Sequence, residues 1–107
     1  MNRQQRHKIL KSLMWDYQIP AGDLEMLLDG KIDKAGHYTR ETLFAKMLSG
    51  LPWYTVIQLV TAEGAKQLLT DDVIKSLWPE SIQIKYRYVK KRLQEALPDP
   101  GQDPYRS

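Results

Sequence analysis

The chain contains no cysteine. Thiol nucleophiles, disulfides, iron–sulfur clusters and cysteine-bound structural zinc are therefore excluded. Histidine is scarce, with only His7 and His37. A catalytic zinc generally takes three protein ligands. His37 with nearby Asp33 supplies two, so neither a metal nor another cofactor is expected. No apolar run approaches the roughly 20 residues of a membrane span, and no apolar signal core follows Met1-Asn2-Arg3-Gln4-Gln5-Arg6. The chain also lacks a phosphate-cradling glycine loop, a nucleophile elbow and a paired-histidine metal signature. Asp71-Asp72 is an adjacent carboxylate pair, but neighbours on a helix point about 100° apart. These absences lead us to expect a cytoplasmic protein that is not an enzyme and does not enter membranes.

What is present fits one small helical domain. At 107 residues the chain is long enough for one core, burying roughly 60–70% of its unfolded surface. We expect an all-α single-domain bundle of five to seven short helices over residues 1–97. Residues 98–107 hold three prolines and a glycine, which cannot continue a helix and have little to bury. We expect a flexible tail there.

Apolar periodicity and capping residues place the helices. Ile9, Leu10, Leu13 and Met14 share one arc of a helix over residues 3–14. Ile19-Pro20 ends anything before it. Trp15-Asp16-Tyr17 is read as an anchored connection, with the rings on the core and Asp16 turning the chain. Leu24, Leu27 and Leu28 stripe a second helix over residues 21–29, which Gly30 closes. Residues 31–38 read as a polar loop. Thr39 is an N-cap for a helix carrying Leu43, Phe44, Met47 and Leu48. Gly50 ends that helix, and Pro52 starts the next.

The stretch from Leu51 to Leu97 holds most of the apolar mass, including Trp53 and Trp78, and is read as the organising half. Residues 53–60, WYTVIQLV, are apolar on every side of a helical wheel, the pattern of a centrally buried helix. Thr61 and Thr70 are two more N-caps. Thr61 opens a short helix with Ala65, Leu68 and Leu69. Thr70 opens another, with Asp71 and Asp72 where the helix dipole favours acids and Val73, Ile74, Leu77 and Trp78 on its apolar face. Residues 82–88 alternate like a strand, yet Ile82, Tyr86, Val89, Leu93, Ala96 and Leu97 form one helical stripe. The stripe accounts for more of the segment, so a helix is expected over residues 81–97. The expected core is Trp53, Ile57, Val60, Leu43, Met47, Ile74, Leu77, Val89 and Leu93.

Charge is unevenly placed. Residues 1–20 carry Arg3, Arg6, Lys8 and Lys11 against Asp16. Residues 81–97 carry Lys85, Arg87, Lys90, Lys91 and Arg92 against Glu95. Residues 21–80 hold nine acids and six bases. The basic ends either dock on the acidic middle or are plainly solvated, the reading we prefer, or they meet an anionic partner. In the last case Arg3, Lys8, Lys11, Lys90 and Arg92 would contact nucleic acid phosphates. Specific DNA reading is disfavoured. The helix after Thr70 would be the recognition helix, and it opens with two acids where base-reading donors belong.

The last helix leaves a remainder. Once its stripe faces the core, Ile84 and Tyr88 fall together on the opposite side, beside Arg87 and Lys91. An isoleucine and a tyrosine among cations have the composition of a protein interface. Ile84, Arg87, Tyr88 and Lys91 are therefore the expected contact surface for a protein partner or a second copy of the chain.

Trp15-Asp16-Tyr17, Arg40 to Val60 (RETLFAKMLSGLPWYTVIQLV) and Leu68 to Leu93 (LLTDDVIKSLWPESIQIKYRYVKKRL) together resemble a family of small uncharacterised bacterial all-helical proteins. Its pattern is a tryptophan–aspartate pair near the start, an aromatic middle helix, and a threonine–aspartate helix start followed by a basic, tyrosine-bearing helix. Trp78 departs from it, standing where a basic residue is expected, and so does Ser49-Gly50, where a longer polar turn is expected. Members of the family are often encoded beside nucleotidyltransferases of the abortive-infection toxin type. The resemblance implies an antitoxin or accessory role and transfers no catalytic or binding residue.

Overall fold

A computed structural model describes residues 1–13 and 19–97. The expected connection Trp15-Asp16-Tyr17 and the tail 98–107 lie outside these residues. Among the described residues six helices follow one another: α1 (Arg3–Leu13), α2 (Ala21–Leu28), α3 (Arg40–Gly50), α4 (Trp53–Leu68), α5 (Asp71–Lys75) and α6 (Glu80–Ala96). The fold is all-α, and residues 82–88 lie in a helix. Among the described residues the only extended pairing is one isolated bridge, Ala35 with Tyr38. No helix among them is long and apolar enough to cross a membrane.

The caps sit where local chemistry requires them. Thr39 accepts from the Thr42 backbone N–H, and the Thr42 hydroxyl accepts in return from Thr39 N–H, closing both orphan donors. Thr70 accepts from Val73 N–H at 3.2 Å. Thr61 accepts from Gly64 N–H at 3.2 Å and splits α4 into two helical pieces, with its own backbone at φ 66°, ψ 165°. That region is essentially reserved for glycine. Pro52 and Pro79 occupy the N-cap positions of α4 and α6. In the loop before α3, Ala35 and Tyr38 exchange both backbone hydrogen bonds at 3.0 Å. Gly36, at φ 59°, turns the chain there, and a Cβ on it would lie 2.9 Å from Ile19 Cδ1.

The core departs from expectation in two ways. It is not concentrated after Leu51. Leu10, Leu24, Leu27, Leu28, Leu43, Phe44, Met47 and Leu48 are all buried, matching the contribution of α4 to α6. Second, Trp53, Ile57, Val60, Val89 and Leu93 pack against the core only partly buried. On α4 the buried positions are Val56, Leu59, Ala65 and Leu68, and Tyr54 is 69% exposed. A segment apolar on every side carries no phase, so neighbouring helices decide which face turns inward. Leu43, Met47, Ile74 and Leu77 are buried as expected.

Part of each basic end docks on the acidic middle, while Lys8, Lys11, Lys85, Arg87 and Lys91 stay exposed. Arg3 and Arg6 of α1 reach Glu25 of α2 at 3.4 and 3.9 Å, and Arg6 reaches Asp29 at 3.0 Å. Arg6 also donates to the Leu59 carbonyl at 3.3 Å. His7 Nε2 comes within 2.8 Å of Glu25 Oε2, though not along a hydrogen-bonding direction. At the other end Lys90 of α6 meets Asp71 of α5.

Candidate functional site

The outward face of α6 is positioned by what its inward face touches. Tyr86 is 1% exposed and is the largest fully buried side chain of the helix. Its ring lies 5.8 Å from that of Trp53 on α4, tilted by 58°, and its hydroxyl donates to the Leu48 carbonyl on α3 at 3.4 Å. Burial raises the Tyr86 phenol above its ordinary ionisation range. Ile82, Val89 and Leu93 pack beside it. The expected stripe therefore turns inward from Ile82 to Leu93, whereas Ala96 at its end is exposed.

Two polar contacts join α6 to α5 and the chain that leaves it. Gln83 donates to the Leu77 carbonyl at 2.9 Å, capping the chain that leaves α5. Lys90 Nζ lies 2.7 Å from Asp71 Oδ1 in the first turn of α5. The Lys90 hydrogen bond, followed by its charge, holds the Asp71 carboxyl below the usual range. At the far end Lys66 of α4 donates to the Leu97 carbonyl, covering an orphan acceptor of the last turn.

Ile84 is 63% and Tyr88 64% exposed. Arg87 and Lys91 are exposed beside them. Arg87 bonds only to Gln83, at 3.4 Å, and neither cation has a carboxylate partner among the described residues. The four residues expected to form a contact surface thus lie on one solvent-facing side of one helix.

Trp78 was expected on the apolar face of the helix after Thr70. It is instead 81% exposed. Helix α5 ends at Lys75, and the residues after it no longer follow helical spacing. Leu77 turns inward and Trp78 outward, next to the start of α6.

The five cations of the nucleic-acid alternative are not gathered into one free track. Arg3 pairs with Glu25, Lys90 with Asp71, and Arg92 with Glu95 at 3.3 Å. Lys8 and Lys11 are exposed on α1, which packs chiefly on α2 and α3, whereas α6 packs on α4 and α5. Helix α5 has five residues and opens with the engaged Asp71, a poor start for a recognition helix.

Among the described residues no group of three or more His, Cys, Asp or Glu side chains is placed to hold a metal ion. The cleft lined by Arg6, Asp29, Arg40 and Thr61 has a volume of about 400 Å³. Its cations are already engaged, Arg6 on Asp29 and Arg40 on the Leu28 carbonyl at 2.9 Å. No protein-family model, no curated protein and no solved structure matches the chain.

Proposed function

We propose that this chain is a non-catalytic protein-interaction domain of the cytoplasm that meets its partner through the outward face of α6. The observation that carries the reading is the pairing of Ile84 and Tyr88, both more than half exposed, on a helix joined to its surroundings by Tyr86, Gln83 and Lys90. Two neighbouring apolar side chains in water gain by burial, at about 25 cal/mol per Å² of apolar area. Flanking cations make the rim of such a patch. The family resemblance extends the proposal: the partner is a nucleotidyltransferase-like toxin, and this chain is its antitoxin or accessory.

The test is an Ile84→Glu, Tyr88→Glu double variant compared with wild type by pull-down from the native cell and by light scattering. The variant should keep its helical circular dichroism and lose the partner that wild type recovers. A variant that keeps its fold, its oligomeric state and the same co-purifying proteins overturns the proposal. Duplex DNA binding that is tight at low salt and lost at physiological salt would instead support the nucleic-acid alternative. That alternative is disfavoured here because three of its five cations already have acidic partners.

A further inference from the structure

We infer that the occupant of the α6 face is an acidic amphipathic helix of another protein, seated on Ile84 and Tyr88 with carboxylates over Arg87 and Lys91. This rests on α6 being the binding face.

The face has the spacing of a helix seam. Ile84, Tyr88, Lys91 and Glu95 follow one another at intervals of four, three and four, which places them within about 60° on a wheel of 100° per residue. Helices dock on such lines through anchors one turn apart. Ile84 and Tyr88 are the apolar anchors, Arg87 and Lys91 the central charges, and Glu80 and Glu95 stand at the two ends of α6.

Charge decides between occupants. A two-fold pairing of α6 with a second copy sets the same patch against itself. Arg87 and Lys91 would then face the same cations, a like-charge juxtaposition that disfavours the pairing. Four of the chain's own acids are engaged within the chain. Glu25 and Asp29 hold α1, Asp71 holds Lys90, and Glu95 holds Arg92. A phosphate backbone fits no better. It would meet Ile84 at its centre and Glu80 and Glu95 at its ends, and none of these contacts phosphate favourably. An acidic helix satisfies both anchors and both free cations.

The patch is short. From Ile84 to Lys91 the axial rise is about 10 Å, so a partner helix of three or four turns covers it. Rim charges act mostly through association rate and salt dependence. Binding should therefore weaken with salt without being abolished.

The experiment is selection from a display library of helix-forming peptides with the full chain as bait. Winners should be net acidic, with apolar residues spaced three and four apart. They should lose about tenfold or more in affinity on the Ile84→Glu, Tyr88→Glu variant, and also on an Arg87→Glu, Lys91→Glu variant. Against the second variant, lysine-for-glutamate versions of the winners should regain binding. Neutral or basic winners, or winners indifferent to the charge-reversed variant, overturn the inference while leaving α6 as the binding face. So does a dimer in light scattering that Ile84→Glu dissolves, or a chain cut at Leu97 that gains affinity because residues 98–107 had filled the site. Winners indifferent to the Ile84→Glu, Tyr88→Glu variant overturn both readings. Circular dichroism of each variant confirms that it is folded.

Discussion

Lys90 Nζ and Asp71 Oδ1 lie 2.7 Å apart across nineteen residues of chain, joining the middle of α6 to the first turn of α5. The hydrogen bond from Lys90 and its charge depress the Asp71 pKa, with smaller help from Lys75 and Arg87. A depressed carboxylate pKa means that the folded state binds its proton less readily than the unfolded chain does. The contribution is complete above the unfolded carboxylate range and is lost as pH falls through the folded value. In a carboxyl carbon NMR titration Asp71 should have a midpoint below that of an unperturbed aspartate. In a Lys90→Met variant it should move back up. An unchanged midpoint would mean that the pair does not persist in solution.

Tyr86 should behave in the opposite sense at high pH. Burial raises its pKa, so the folded state favours the neutral phenol. The stabilisation is present below the unfolded phenol value, about 10, and is lost as pH rises above it. Ultraviolet titration of wild type against Tyr86→Phe should show that the removed phenol is one of the last to ionise, with its ionisation coupled to unfolding. A Tyr86→Phe chain should resist alkali better while losing about 0.5–1.5 kcal/mol at neutral pH for its hydrogen bond to Leu48.

Burial ranks two core substitutions. Met47 is fully buried on α3, and Met47→Ala should cost about 2–5 kcal/mol in denaturant unfolding. Ile57 is only partly buried, so Ile57→Ala should cost less, on the order of 1–2 kcal/mol. The reverse ranking would show that α4 is rotated from the position described.

Thr61 separates cap from strain. Its hydroxyl caps the second piece of α4 while its backbone holds a glycine-type conformation. Thr61→Ala loses the cap and keeps the strain, for a loss of about 1 kcal/mol. Thr61→Gly forfeits only a few tenths of a kcal/mol of capping and relieves about 1–3 kcal/mol of strain. The glycine variant should therefore melt above wild type and the alanine variant below it. If both melt lower, the strained backbone is not the one in solution.

Much of the fold was legible because capping chemistry is local. Thr39, Thr61 and Thr70 each need only a hydroxyl three residues ahead of a free N–H, and all three are found capping. The α6 stripe was legible because sixteen residues, Ile82 to Leu97, repeat one period, enough to outvote a seven-residue alternation. What could not be read was phase and exit. WYTVIQLV is apolar all round, so the choice of Val56 and Leu59 over Ile57 and Val60 belongs to the neighbouring helices. Trp78 lies one residue before Pro79, where helical spacing has lapsed, and nothing local says which way its ring turns. The charge pattern announced that the ends would meet the middle but not that Glu25 would receive three α1 side chains. The contact surface itself was found by subtraction, since Ile84 and Tyr88 are what the stripe leaves over.

Arg6 touches Glu25, Asp29 and the Leu59 carbonyl at once. Its guanidinium therefore ties the first helix to the second and to the backbone of α4 close to the break at Thr61. Fraying of α1 removes a donor from α4 and two charge contacts from α2 in the same event. The two halves of the molecule are thereby coupled in their loss of structure. Amide exchange along α2 and around Leu59 should accelerate together when Arg6 is replaced, although more than fifty residues of chain separate Arg6 from Leu59.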